Sequence, residues 1–200
     1  MKLHFNPGSP FVRKVLVVAH ECGLTDRIEQ LPLVLTPVKP DQNVNADNPL
    51  GKIPALVLDD GTTLYDSRVI CQYLNDLGGG SLYPAGSDRW VALRREACAD
   101  GICDAAILAR YESFVRPEEK RWEVWSQAQI EKFKRALDAL ESESPGDAVD
   151  IGTLSVVIAL DYLDFRFPQE NWRDGHPNLE AWYQALSPRA SLVQTKPHEL

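Results

Sequence analysis

The chain changes character part-way along, and that change limits its architecture more than any other feature. Up to about residue 77 strand-like and helix-like segments alternate, while beyond about residue 87 every periodic segment is helical. Mixed periods call for a sheet with covering helices, whereas an all-helical run packs helix on helix, so two domains are expected. The joint is "GGGSLYPAGS", with the Gly, Pro and Ser content of a linker. The expected layout is an α/β domain over 1–78, a linker over 79–86 and an all-α domain over 87–200.

In the first part "KLHFN" reads as a strand. "SPFVRKVLVVAHECG" reads as a helix with Ser9 as N-cap, Pro10 in the first position and Gly23 as the stop. "IEQLPLVL" is a second strand, which Pro32 assigns to an edge because proline cannot donate to a ladder. "ALVLDDGTTLYD" reads as a β-hairpin turning at Asp60-Gly61, and "DSRVICQYLNDLGGG" as a capped helix with a glycine ending. With the first two strands parallel through a crossover, the domain is a small mixed sheet. The loop 36–52 between the second strand and the hairpin is long enough to be functional or irregularly helical.

The second part offers "DRWVALRREACADGICDAAILARYESF", in which Gly101 reads as a kink or close-packing point. "PEEKRWEVWSQAQIEKFKRALDALESE" follows, with Trp122, Trp125, Ile130, Phe133 and Leu137 at spacings of three to five. "DIGTLSVVIALDYLDFRF" has Asp150 as N-cap, and "HPNLEAWYQAL" is a last short helix stopped at Ser187-Pro188.

Bulk properties exclude several classes of function. A formal charge of −8 and a pI near 5.0 disfavour nucleic acid, because polyanion binding is driven by counterion release from basic surfaces. The apolar run Ile151 to Leu160 is about half of the ~20 residues a membrane span needs. No signal peptide is read at the start, and Cys22, Cys71, Cys98 and Cys103 show neither a C-x-x-C pair nor zinc spacing. No metal is therefore expected, and a reducing cytoplasm is the expected location.

Three short stretches carry candidate chemistry. Ser9 at a helix start is a structural cap in its own right, yet the N–H groups and positive dipole end there also suit a thiolate or phosphate. In "NPLGKIPAL", Pro54 directly precedes a strand, and a cis Ile53–Pro54 bond would turn the Ile53 N–H and C=O outward to pair with an extended peptide. An ordinary loop proline is the plainer alternative. In "YDSRVI", Asp66 and Ser67 open another helix, as caps or as a grip on an amino-acid head group. Lys52 is either a contact at the far end of such a ligand or a solvated loop lysine.

Together these stretches resemble the cytosolic glutathione S-transferases, over nearly the whole chain. The resemblance rests on "SPFVRKV", "NPLGKIPAL", "LYDSRVICQYL" and "DIGTLSVVIALDYLDFRF". It implies a thioredoxin-like N-terminal domain with a cis-proline at Pro54, an all-helical C-terminal domain forming the electrophile side of a cleft, and a homodimer. It also implies glutathione as co-substrate, conjugated to a small hydrophobic electrophile. Asp66 and Ser67 would hold the γ-glutamyl group, Ile53 with Pro54 the cysteinyl unit, and Lys52 the glycyl carboxylate, with Ser9 facing the sulfur and Phe11 a further glutathione contact. Ser9 would be the catalytic residue, although His4 and Asn6 also lie close by in sequence. Serine cannot form the mixed disulfide that cysteine would, so conjugation is preferred over a glutathione-dependent reductase or isomerase. A non-catalytic binding module of the same fold is the other alternative. Trp90, Arg94, Cys98, Asp104, Leu108 and Tyr111 recur along the first long helix, as an electrophile pocket or as packing. Asp150 with Thr153 matches the family's helix-starting box with acid and hydroxyl exchanged, a folding role. The closing "SPRASLVQTKPHEL" resembles the family's last segment and is expected to pack back on the core.

Overall fold

The computed structural model describes residues 1–200 as two compact units, Met1–Pro84 with Ala190–Leu200, and Ala85–Arg189. The final eleven residues thus return to the first unit instead of continuing the helical one.

The first unit is a four-stranded sheet in the order β2-β1-β3-β4, built from β1 (Lys2–Phe5), β2 (Glu29–Pro32), β3 (Leu56–Val57) and β4 (Thr63–Leu64). β1 and β2 are parallel, while β3 is antiparallel to both β1 and β4. Pro32 ends β2 at the sheet edge, where its missing N–H is harmless. The helix α1 (Pro10–Glu21) is fixed by local chemistry at both ends: Ser9 caps it, Pro10 opens it, and Gly23 takes up φ of +66° just beyond it. Inside the 36–52 loop lies α2 (Gln42–Asp47), started by the Asp41 carboxylate, which accepts from Asn43 N at 2.9 Å and Val44 N at 3.1 Å. Val44 is fully buried and ties this short helix down. α3 (Ser67–Leu77) packs on α1. A last short helix, α8 (Ala190–Gln194), rests on α1, where the buried Arg13 donates to Leu192 O at 3.1 Å.

The second unit contains α4 (Gly86–Phe114), α5 (Glu123–Glu143), α6 (Ile151–Arg166) and α7 (Pro177–Leu186). Every residue of α6 from Ile151 to Leu163 is buried, so it is the central helix of this unit, mostly apolar all round with Thr153, Ser155 and Asp161 as its buried polar side chains. Asp150 accepts from Thr153 N at 2.9 Å, and Thr153 Oγ1 accepts from Asp150 N at 3.0 Å, which closes a reciprocal capping box. Two expectations change here. α4 runs unbroken through Gly101, which is exposed with nothing within 4 Å of where a Cβ would sit. The close-packed glycine is Gly152, whose Cβ position meets the Ala92 carbonyl oxygen and lies 2.7 Å from Arg95 Cβ. On α5 the buried face begins at Gln129 and continues through Ile130, Phe133, Leu137 and Leu140, while Trp122 and Trp125 stack on each other, exposed, with ring centroids 6.4 Å apart.

Candidate functional site

Strand register brings the three candidate stretches to one end of the sheet. β1 runs out through Phe5 into the turn that leads to Ser9, and its antiparallel partner begins there, since Leu3 pairs with Leu56 and His4 N donates to Ala55 O at 3.0 Å. Pro54 therefore lies beside the outgoing end of β1. β4 pairs Leu64 with Leu56 and so delivers Tyr65, Asp66 and the start of α3 to that same end. Two helix N-termini and one irregular backbone segment converge there, an arrangement that offers N–H groups and positive dipole ends to an anionic ligand.

Ser9 is half-buried, and its hydroxyl oxygen accepts from Val12 N at 3.3 Å. That contact uses a lone pair and leaves the hydroxyl proton with no protein acceptor, so cap and donor are compatible roles for one group. Phe11 is half-buried in the first turn of α1. The Ile53–Pro54 bond is cis, as is Tyr65–Asp66. Ile53 spends neither its N–H nor its C=O on another residue, and Pro54 beneath it is buried. Lys52 is exposed, with its carbonyl accepting from Asn48 Nδ2 at 2.8 Å. The Asp66 carboxylate is exposed and caps Arg68 N at 3.0 Å, while Ser67 beside it is buried.

His4 and Asn6 have other employment than the reacting group. Asn6 braces the turn before Ser9: its Oδ1 accepts from Gly8 N at 2.9 Å, its Nδ2 donates to Leu33 O at 2.9 Å, and its carbonyl accepts from Ser9 N at 3.0 Å. The turn-forming triplet Asn6-Pro7-Gly8 is the sequence signal for this role. His4 is buried, with Nε2 2.6 Å from Asp47 Oδ2. Two surface grooves of the first unit lie elsewhere: about 580 Å³ around Met1, Arg27 and Asp59, and about 380 Å³ around Val12, Leu16 and Lys196. Neither is lined by Ser9, Ile53 or Ser67, and an extended peptide pairing with backbone needs an accessible edge, not a cavity.

On the long helix, Trp90 and Leu108 are exposed, and burial pushes the Tyr111 hydroxyl and the Cys98 thiol up from their ordinary pKa values. Burial raises the Cys22 thiol likewise, which keeps it protonated and unreactive at neutral pH. All four cysteines are unbridged.

Residues 8–77 match the N-terminal domain of the glutathione S-transferases, and residues 123–185 match their C-terminal domain. The GST-like protein YibF of Escherichia coli K12, itself uncharacterised, is 33% identical over 205 residues, covering 98% of each chain. The chain belongs to the glutathione S-transferase family. Its first unit is accordingly the thioredoxin-like domain and its second the helical domain of that fold. Among solved structures, a family member from Pseudomonas fluorescens Pf-5, crystallised with glutathione, is 48% identical over 98% of each chain with a TM-score of 0.93. A glutathione S-transferase from Methylobacillus flagellatus, also with glutathione bound, is 35% identical, covers 98% of this chain and 99% of that one, and has a TM-score of 0.86.

Proposed function

We propose that this glutathione S-transferase conjugates the thiolate of glutathione to a small hydrophobic electrophile. The observation that carries the reading is Ser9. A hydroxyl sits at the N-terminus of α1, its oxygen occupied by Val12 N–H and its proton available to a sulfur anion. The thiol of glutathione has an unperturbed pKa of about 8.5, so only a few per cent is thiolate at neutral pH. One hydroxyl donor and one helix N-terminus each contribute on the order of 1–2 kcal/mol to the anion, enough together for thiolate to predominate. The electrophile then gains from being held beside an already ionised nucleophile.

Binding follows from the neighbouring groups. The unspent N–H and C=O of Ile53 pair with the cysteinyl unit as a short extra strand, and Pro54 and Phe11 shape the surface around it. Asp66 takes the γ-glutamyl ammonium, the α3 N-terminus at Ser67 takes its carboxylate, and Lys52 reaches the glycyl carboxylate. A relative supports glutathione and its S-substituted form as the ligands: a second Pseudomonas fluorescens structure, 46% identical over 99% of this chain, holds S-(propanoic acid)-glutathione, a glutathione already substituted on sulfur. A homodimer working in a reducing cytoplasm belongs to the same proposal, and the four unbridged cysteines support the reducing compartment.

The test is turnover. Purified protein given glutathione and a generic aromatic halide is expected to release halide and form the aryl thioether. Calorimetric binding of glutathione with no turnover across a broad electrophile panel would favour the non-catalytic alternative, and reduction of mixed disulfides the reductase.

A further inference from the structure

The segment from Asp47 to Ala55 holds Lys52, Ile53 and Pro54, and both of its ends are attached to one residue of β1. The His4 backbone N–H donates to Ala55 O at 3.0 Å, while its imidazole Nε2 lies 2.6 Å from Asp47 Oδ2. Only 3% of His4 is exposed, so this contact is made out of water on the His4 side, where a charge-assisted hydrogen bond is short and strong. An ionised carboxylate only accepts, which places the proton on Nε2. Between the two attachments Asn48 braces the interior of the segment, donating through Nδ2 to Lys52 O at 2.8 Å and accepting at Oδ1 from Leu50 N at 3.0 Å. The Asn48 carbonyl accepts from Gly51 N at 2.8 Å, and Gly51 takes φ of +60° with its Cβ position 2.7 Å from Asn45 Oδ1, so the turn is specified at each step.

We infer that His4 is a positioning residue for glutathione: by pinning both ends of the 47–55 segment it presets the backbone of Ile53 and the reach of Lys52. The inference rests on the glutathione reading of this site. Without the imidazole the segment keeps its internal braces, its anchor at Ala55 and the hold of Val44 and the Asp41 cap on α2, but the Asp47 side chain loses its tie to β1, so part of the cost of ordering Ile53 falls on ligand binding. Chemistry at the sulfur is set at the α1 end and is untouched. The signature is accordingly a split between binding and turnover.

The experiment compares the parent with His4→Ala, His4→Gln, Asp47→Ala and the His4→Ala/Asp47→Ala pair. Glutathione Kd is measured by calorimetry, KM and kcat with an aromatic halide, and hydrogen exchange over residues 48–55 in the free protein. His4→Ala and Asp47→Ala are expected to raise Kd and KM about tenfold, as loss of one charged hydrogen bond implies, with kcat nearly unchanged. The double variant should lose no more than either single one. His4→Gln, whose amide can still donate to Asp47, should recover most of the affinity. Exchange over 48–55 should quicken in the two alanine variants. Asp47 lies at the protein surface, so its variant carries the test if His4→Ala does not fold. An unchanged Kd in Asp47→Ala, additive losses in the double variant, or a fall in kcat without a rise in KM would each overturn the inference. A parent that binds no glutathione would sink the reading of the site itself, and this inference with it.

Discussion

Replacing Ser9 by Ala is expected to raise the pKa of the bound thiol by about one unit and so to slow conjugation roughly threefold at pH 7 and about tenfold at pH 5.5, the loss of one hydrogen-bond donor to the anion. The same change removes the α1 cap and so also costs about 1 kcal/mol of stability. Two further variants separate these effects. Ser9→Thr retains both the cap and the donor and should stay active. Ser9→Asp caps as well as serine does but brings an anion in place of a proton, so it should keep the melting temperature and lose the rate. Initial rates with an aromatic halide and thermal unfolding of the four proteins decide the matter, and equal rates in Ser9→Ala and parent would remove the hydroxyl from the mechanism.

The second large effect is structural. Gly152→Ala forces a methyl group against the Ala92 carbonyl oxygen and Arg95 Cβ, where α6 crosses α4. Backbone cannot swing aside as a flexible side chain can, so the helices must separate, and overpacking of this kind costs about 1–3 kcal/mol. For a chain of this size each kcal/mol lowers Tm by roughly 2–4 °C. Gly101→Ala is the opposite case: it is exposed within α4 with nothing near its Cβ position, so alanine should stabilise by about 0.5–1 kcal/mol. Thermal unfolding of both variants tests the pair of signs, and a Tm that is unchanged or higher in Gly152→Ala would contradict the packing described for α4 and α6.

Those two glycines also mark where sequence ceases to be informative. What is local was legible. Ser9, Pro10 and Gly23 delimit α1 because caps and stops act over a few residues, and Pro32 marked an edge strand because a proline has one fewer donor wherever it stands. The capping box at Asp150 and Thr153 was visible for the same reason. What depends on a distant neighbour was not. Gly152 is tight only because Ala92 and Arg95 come to meet it, some sixty residues away in the chain, and no spacing around it says so. Spacing placed Trp122 and Trp125 on the α5 stripe with Ile130 and Phe133, yet the first turn of that helix extends past the surface it packs on. α2 is one of the two alternatives offered for the polar loop, an irregular helix, but its bounds were not legible because its six residues are held by the Asp41 cap, buried Val44 and the His4 contact instead of by propensity.

The site shows the same division. The chain itself offered Ser9, Ile53, Pro54, Asp66 and Ser67 as two helix starts and one pre-strand proline, and the register of β1, β3 and β4 gives them a common end of the sheet. Asn6 was recoverable from its turn triplet, whereas His4 was not, since its partner Asp47 is 43 residues away in the long loop, where no spacing pairs the two.

The central claim is that the protein ionises the thiol of glutathione at the N-terminus of α1, and the most direct measurement is the ultraviolet absorbance of the bound thiolate as a function of pH. In the parent the bound thiol should titrate about two units below the free value of about 8.5, and in Ser9→Ala about one unit higher than in the parent. A bound thiol that titrates as it does free in solution would contradict the account.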